Sequence, residues 1–125
     1  MELNHIALSV TNHQEITNFY QDILGFQTMR VFDLNEELSE KIFGIPADVA
    51  IAVLTRDELS LEIFISDTPT KHGFGHVCLN VEKRDEIIRK AKAMNYKVVS
   101  VDRGSYDVVF IKDKNGNLFE LKEKR

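Results

Sequence analysis

The pattern of apolar and polar positions predicts a strand, a helix and three more strands in the first half of the chain. From Leu3 to Val10 the two kinds of residue alternate, as in a half-buried strand. A set of apolar residues at helical spacing then predicts an amphipathic helix. Thr11 or Asn12 before it is the predicted N-cap, and Gly25 after it is the predicted left-handed C-terminal cap. The helical set is Ile16, Phe19, Tyr20, Ile23 and Leu24, and the later strands are predicted at 26–32, 49–54 and 59–65.

The second half of the chain repeats this order after a linker at 66–74. Its predicted elements are a strand at 77–81, a helix at 82–94, and strands at 97–101, 108–111 and 118–122. The last two strands are joined through Asn115-Gly116, a pair that favours a type I′ hairpin turn. The pattern therefore predicts an internal repeat.

Individual residues also repeat. The segment His5-Ile6-Ala7-Leu8-Ser9-Val10 has the same chemical order as His76-Val77-Cys78-Leu79-Asn80-Val81, 71 positions later. A second match joins Leu61-Glu62-Ile63 to Phe119-Glu120-Leu121 at an offset of 58. The offset is 13 smaller than the first one because residues 34–46 have no counterpart in the second half. We interpret residues 1–125 as one domain of two modules, 1–66 with an insertion at 34–46, and 74–125. Chance similarity of apolar strands is the alternative, and the matching glutamates weaken it.

The inserted segment has a helical pattern of its own. Asn35 is a suitable N-cap for a helix from Glu36 to Phe43, with Leu38, Ile42 and Phe43 on one face. A short helix beside a sheet is either a lid over a site or a loop tucked against the surface. Both interpretations are open at this point.

Composition excludes several classes of protein. The net charge of −4, a pI near 5.5 and the lack of a basic stripe argue against nucleic-acid binding. No apolar run is long enough to cross a membrane, and the start of the chain lacks a signal-peptide pattern. The single Cys78 cannot form an intramolecular disulfide and fits a reducing, cytoplasmic location. Its position predicts a small buried side chain.

Four residues at equivalent positions of the repeat are candidate metal ligands: His5, Glu62, His76 and Glu120. Two imidazoles and two carboxylates suit a borderline divalent ion such as Ni, Zn, Co, Fe or Mn, if the modules bring them together. Taken singly, each histidine could be a packed side chain and each glutamate could face solvent. Surface charges have no reason to follow a repeat, which favours the metal site.

These residues resemble a known family over nearly the whole chain. The motifs are 3–10, Phe19-Tyr20, Leu24-Gly25-Phe26, 61–64, Gly75-His76-Val77 and 115–121. They are similar to the vicinal oxygen chelate (VOC) superfamily, which includes glyoxalase I, methylmalonyl-CoA epimerase, extradiol dioxygenases, and fosfomycin and bleomycin resistance proteins. The resemblance implies an α+β, glyoxalase-like fold: two βαβββ modules forming a curled mixed sheet around a shared cleft with one metal. It also implies a small-molecule substrate with vicinal oxygens.

Within the superfamily, the ligand set resembles that of glyoxalase I (lactoylglutathione lyase). This resemblance implies that Glu120 leaves the metal and acts as the base that moves a proton between adjacent carbons of a hemithioacetal, with Glu62 opposite. Methylmalonyl-CoA epimerases resemble the chain at Ile45-Pro46 but usually have Gln at the position of Glu62. Extradiol dioxygenases use two His and one Glu, and metal-free drug-binding members lack the set.

Three functions therefore remain open: a glyoxalase-like lyase or isomerase, another reaction of the superfamily such as epimerisation or thiol transfer to an antibiotic, and non-enzymatic binding of a small molecule. The chain departs from glyoxalase I in lacking identifiable arginines that would hold a carboxylate of glutathione, and Arg30 and Arg103 are candidates only because they are basic and lie near module ends. Small size and exposed strand edges favour a homodimer. The metal site could lie in one chain or be shared between two.

Overall fold

A computed structural model describes residues 3–67 and 76–124, which belong to two compact units, Met1–Gly73 and Phe74–Arg125. The first unit contains β1 (Ile6–Val10), α1 (Ile16–Gln21), β2 (Gln27–Leu34), α2 (Glu36–Phe43), β3 (Val49–Arg56) and β4 (Leu59–Ile65). The second contains β5 (Val77–Val81), α3 (Arg84–Ala93), β6 (Lys97–Asp102), β7 (Asp107–Lys112) and β8 (Leu118–Glu123).

The described strands form one four-stranded sheet in each unit, with the same topology. The strand order is β1-β4-β3-β2 in the first sheet and β5-β8-β7-β6 in the second. In each sheet the first strand runs parallel to the last one and the other pairs are antiparallel. The predicted pair of βαβββ modules is therefore confirmed, and each module has its own four-stranded mixed sheet, which is not closed.

Alternation along the strands divides each sheet into a buried face and an open face. In the first unit, Leu61 pairs with Leu54 in the register, and both side chains are buried. Glu62 is the next residue along β4, so its side chain lies on the opposite face. In the second unit, Phe119 and Leu121 are buried and Glu120, between them, lies on the open face. The fold thus presents both candidate carboxylates away from the apolar core.

Helix α1 lies where the apolar spacing predicts but has a different hydrogen-bond pattern. The amide of Asp22 donates to the carbonyl of Thr17 at 2.9 Å, and that of Leu24 to Phe19 at 3.0 Å. Donor and acceptor are five residues apart, which makes the helix π-helical, whereas the apolar spacing predicts an α-helix. Gly25 has the predicted left-handed conformation after the helix, with φ +76°. The predicted N-cap is not found at the start of this helix: Glu15 is its N-cap residue and makes no side-chain capping bond, while Asn12 Oδ1 accepts from Gln14 N at 2.9 Å in the preceding turn.

Helix α3 begins two residues later than the apolar pattern predicts. Lys83 has φ +54°, which a helix cannot contain. The amides of Lys83 and Arg84 each donate to a carboxylate oxygen of Glu123 at 3.0 Å. This carboxylate from β8 caps the helix and interacts favourably with its positive N-terminal end.

The turn between β7 and β8 is not the predicted type I′ turn. Such a turn needs positive φ at both central residues, but here φ is positive at Gly116 (+88°) and not at Asn115. The buried carboxylate of Asp113 accepts from Asn115 N at 2.9 Å and from Asn117 N at 2.8 Å. Because Asp113 satisfies these amides, it dictates the turn instead of the Asn-Gly pair.

The inserted helix α2 has the predicted bounds. Asn35 Oδ1 accepts from Leu38 N at 2.9 Å, and Gly44 ends the helix with φ +71°. Its predicted apolar face is largely exposed, however, with Leu38 at 42% and Ile42 at 60% of their full accessibility. The helix therefore does not bury the face that its pattern suggests.

Phe43, the third residue of this face, and Ile45, which follows the helix, attach the inserted segment to the first sheet. The Phe43 ring packs edge-on against Phe64, with ring centroids 4.7 Å apart. Ile45 is buried in a cluster with Val49, Ile51 and Phe64. Phe64 lies two residues after Glu62 on β4, so the insertion covers the end of the face that carries Glu62. This packing corresponds to the interpretation of a segment tucked against the sheet.

Candidate metal site

The first unit brings its histidine and its glutamate together. Ala7 on β1 is in register with Glu62 on β4, and His5 lies two residues before Ala7. His5 Nε2 is 3.5 Å from Glu62 Oε1, and the side chains are 38% and 21% exposed respectively. Glu62 therefore does not simply point into solvent. Both side chains are partly exposed, so an ion can reach them, and both are partly packed against the protein.

Asn4 contacts the other ring nitrogen of His5. Its Oδ1 lies 2.8 Å from His5 Nδ1. When Nδ1 carries the proton and donates to this oxygen, the Nε2 lone pair faces Glu62 Oε1. Two acceptors then face each other, an arrangement that a cation between them stabilises. A backbone or side-chain oxygen on the remote nitrogen is also the usual support for a histidine that binds metal.

The second unit forms an equivalent pair. His76 Nε2 is 3.6 Å from Glu120 Oε1, and Glu120 is 17% exposed. The His76 ring packs edge-on against Phe110, with centroids 5.5 Å apart and an interplanar angle of 82°. Phe110 pairs with Glu120 in the register of β7 and β8, so one aromatic ring sits beside both members of the pair.

The two glutamates differ in what surrounds them. The second oxygen of Glu120, Oε2, lies 3.7 Å from Lys122 Nζ. In the first unit the residue two positions after the glutamate is Phe64, which carries no charge. Both oxygens of Glu120 thus have a cationic or imidazole neighbour, whereas the corresponding position beside Glu62 is aromatic.

Cys78 is exposed, which contradicts the prediction of a buried side chain. It pairs with Glu120 in the register of β5 and β8 and lies on the open face of the sheet. Partial burial, the negative charge of Glu120 and a hydrogen bond to that carboxylate raise the pKa of the Cys78 thiol, against a smaller opposing effect of Lys122. The thiol is therefore less readily deprotonated than that of a free cysteine.

Each pair has donors suited to a divalent ion. Bonds of about 2.0–2.2 Å from such an ion to nitrogen and oxygen place neighbouring donors roughly 3–3.5 Å apart, close to the separations within the two pairs, 3.5 Å and 3.6 Å. Across residues 3–67 and 76–124, no group of three or more His, Cys, Asp and Glu side chains is arranged to hold an ion. The structure therefore forms two His–Glu pairs, each with two of the four proposed ligands. That all four side chains bind one ion stays a prediction.

Of the other two histidines, only one lies in the part of the chain that the structure describes. His13 is exposed, and His72 falls outside the described residues. Sequence reasoning missed Asn4 and Phe110 as partners of the histidines. Asn4 could have been suggested by its position as a polar residue next to His5. Phe110 looks like any apolar strand residue until the register of β7 and β8 is known.

No helix within the described ranges is long and apolar enough to cross a membrane.

Comparisons with known proteins identify the family of the chain. A sequence model of the Glyoxalase/Bleomycin resistance protein/Dioxygenase superfamily matches residues 2–121. The mitochondrial methylmalonyl-CoA epimerase of Dictyostelium discoideum is 27% identical over 98% of this chain and 78% of its own length. The lactoylglutathione lyase GLX1 of Arabidopsis thaliana is 25% identical over 94% of this chain, which spans only 42% of that protein.

A solved structure shows the same fold. The genomically encoded fosfomycin resistance protein FosX of Listeria monocytogenes, in complex with Mn(II) and a dihydroxypropylphosphonic acid, is 18% identical. The similarity covers 99% of this chain and 90% of that one, with a TM-score of 0.72. At this identity the likeness supports the fold alone.

Proposed function

The chain belongs to the Glyoxalase/Bleomycin resistance protein/Dioxygenase superfamily, and from that we propose that it is a metal-dependent, glyoxalase-like lyase or isomerase. Its substrate would be the hemithioacetal of an α-ketoaldehyde, which has vicinal oxygens. The observation that carries the proposal is the repeated pair: His5 with Glu62, and His76 with Glu120, at nearly equal separations. A fold alone would not require this chemistry twice.

The proposed metal ligands are those four side chains. A divalent ion such as Ni, Zn, Co, Fe or Mn, when bound, would act as a Lewis acid on the substrate oxygens. The two imidazoles and the two partly buried carboxylates fit such an ion, and the Asn4 contact on His5 Nδ1 supports the orientation that leaves Nε2 as donor. Mn(II) in the FosX complex is consistent with a divalent ion on this fold.

We assign the proton transfer to the glutamates. Glu120 would take a proton from one carbon of the hemithioacetal and return it to the adjacent carbon, with Glu62 opposite. Two features of this chain support the role of Glu120: Lys122 Nζ lies 3.7 Å from Oε2 and favours one orientation of the carboxylate, and Phe110 provides an apolar wall next to it. A base must lie within hydrogen-bond reach of its proton, and a fixed orientation serves that need.

Epimerisation of a CoA thioester is the second candidate. It is favoured by the Dictyostelium epimerase, of which this chain covers the larger share. Both reactions move a proton at a carbon next to a carbonyl, so the same pair of carboxylates could serve either one. Glu62 is the feature that favours the lyase, since the epimerases usually have Gln there.

A substrate screen separates these candidates. Metal-loaded protein is assayed with the glutathione hemithioacetal of methylglyoxal, with methylmalonyl-CoA, and with fosfomycin plus a thiol. We expect turnover of the hemithioacetal, followed as formation of its thioester product. Turnover of methylmalonyl-CoA or fosfomycin alone would replace the proposal with that reaction. Metal-independent binding without turnover of any of the three would indicate a binding protein.

We also propose that the protein is a cytoplasmic homodimer. The edge strands of the first sheet are β1 and β2, and those of the second are β5 and β6, and unpaired edges favour association. Sedimentation velocity at micromolar concentration is expected to give about twice the chain mass of 14.4 kDa. A monomer would contradict the assembly and restrict the metal site to one chain. The cytoplasmic location rests on the single, exposed cysteine.

A further inference from the structure

A β-bulge in β2 changes the face on which Arg30 lies. Thr28 pairs with Leu54 on the buried face of the first sheet, and Gln21 Nε2 on α1 donates to Thr28 Oγ1 at 2.7 Å. Regular alternation would put residue 30 on that same face. The register shifts between Thr28 and Arg30, so that Arg30 pairs with Val53 instead. Met29 is the extra residue of the bulge.

The shift places Arg30 on the face that carries the candidate ligands. Val53 pairs with Arg30 on one side and with Glu62 on the other, so the three side chains form one row across the sheet. At a spacing of about 4.8 Å between strands, the backbone of Arg30 lies roughly 10 Å from that of Glu62. Arg30 is therefore on the open face, two strands from the His5–Glu62 pair.

An aromatic ring supports the guanidinium in this position. Arg30 Cζ lies 5.1 Å from the centroid of the Phe32 ring, on the same strand and face. Phe32 in turn packs against the cluster that contains Phe64 and the inserted Ile45. Among the residues the structure describes, no carboxylate lies within 4.0 Å of the Arg30 guanidinium. The charge is exposed, held by stacking and available to an anion.

The second unit lacks this arrangement. Strands β6 and β7 pair continuously from Lys97 with Lys112 to Asp102 with Asp107, without a register shift. The bulge is therefore not required by the repeated fold. Bulges occur next to active sites, where they redirect a side chain.

We propose that Arg30 binds an anionic group, a carboxylate or a phosphate, on the part of the substrate remote from the reacting carbons. The inference rests on the proposed function and defines its substrate class: a thiol-derived compound with a charged handle, whose reacting end lies near Glu62. A planar guanidinium binds either anion through two parallel hydrogen bonds. The apolar Val53 between Arg30 and Glu62 would contact the uncharged middle of the substrate.

Three thioesters with the same lactoyl group test the proposal. S-lactoylglutathione carries carboxylates, lactoyl-CoA carries phosphates, and S-lactoyl-N-acetylcysteamine carries neither. Calorimetry gives their dissociation constants for metal-loaded wild type, Arg30→Met and Arg89→Met. Methionine keeps an unbranched stem over Phe32 without the charge. Arg89, an exposed residue of α3, is the matched control for loss of one positive charge.

We expect Arg30→Met to weaken binding of a charged thioester by about 10- to 100-fold and to leave the neutral one within about twofold. Which charged thioester responds identifies the carboxylate or the phosphate as the natural anion. Salt should weaken this interaction in wild type and much less in Arg30→Met. Arg89→Met should behave as wild type.

Two failures can be told apart. If wild type binds the thioesters and Arg30→Met changes none of them, or changes all three equally, the role of Arg30 is wrong and the proposed function stands. If metal-loaded wild type binds none of the three, the proposed substrate class is wrong and the role of Arg30 falls with it. Circular dichroism of Arg30→Met is the check that its fold is retained.

Discussion

Protein stripped with a chelator is expected to bind one divalent ion per chain, and His5→Ala or His76→Ala should weaken that binding by more than about 100-fold. Loss of a supporting partner of a metal-bound histidine typically costs about 10- to 100-fold in affinity, so loss of the histidine itself should cost more. Stoichiometry and affinity are measured by mass spectrometry under native conditions and by titration with Ni, Co, Zn and Mn.

The structure also predicts a graded series of effects. Asn4→Ala removes the oxygen 2.8 Å from His5 Nδ1 but leaves the ligand in place. Its effect should fall between those of wild type and His5→Ala, at about 10- to 100-fold. Because the two pairs are equivalent in the repeat, the two histidine variants should resemble each other.

His13→Ala is the matched control, since His13 is exposed and lies outside the repeat. It should bind metal as wild type does. Both ligand histidines are themselves partly exposed, so their loss should leave the circular dichroism spectrum unchanged. Equal binding by His13→Ala and His76→Ala would show that the ion binds elsewhere, and an absence of binding to wild type would favour the non-enzymatic interpretation.

The sequence predicts the strands well because each one is a short apolar or alternating segment bounded by polar residues and turn signals. The bounds of β4, β5 and α2 are as predicted. The inserted helix is also predictable, since Asn35 and Gly44 are strong end signals. These features depend on residues near one another in the chain.

Features decided by distant residues are the ones that the sequence does not reveal. The turn after β7 depends on the buried carboxylate of Asp113, and the start of α3 on Glu123 from another strand. The bulge at Met29 becomes visible only in the pairing with β3. It matters most for the site, because without it Arg30 would be assigned to the wrong face of the sheet.

Cys78 illustrates a related difficulty. Its apolar neighbours Val77 and Leu79 suggest burial, but alternation puts the thiol on the same face as Glu120, where it is exposed. The face, and not the neighbours in the chain, determines the environment of a strand residue. The same argument brings Glu62 and Glu120 onto open faces although both lie between buried residues.

Replacement of Glu120 by Gln is expected to lower kcat for the hemithioacetal by about 10²- to 10⁴-fold, the contribution typical of a positioned general base. The amide retains the size of the side chain but cannot accept the proton. Glu120 is only partly buried, so the fold should persist. The measurement is steady-state kinetics at saturating metal, with the bound metal counted in the same samples.

Glu62→Gln separates the role of ligand from the role of base. If Glu62 serves mainly as a ligand, its variant should lose metal affinity and recover most of its activity when metal is raised. Glu120→Gln should stay inactive even when fully loaded, because the missing proton acceptor cannot be replaced by metal. Glu82→Gln, an exposed carboxylate beyond β5, is the control and should retain full activity.

The environments of the two carboxylates explain why the variants should differ. Glu120 is held from both sides, with Oε1 3.6 Å from His76 and Oε2 3.7 Å from Lys122, whereas Glu62 has a histidine on one side and Phe64 in the position of the lysine. A carboxylate held at both oxygens is fixed in orientation, as proton transfer at a defined carbon requires. Full activity of metal-loaded Glu120→Gln would contradict this assignment, and loss in Glu62→Gln that metal cannot restore would transfer the role of base to Glu62.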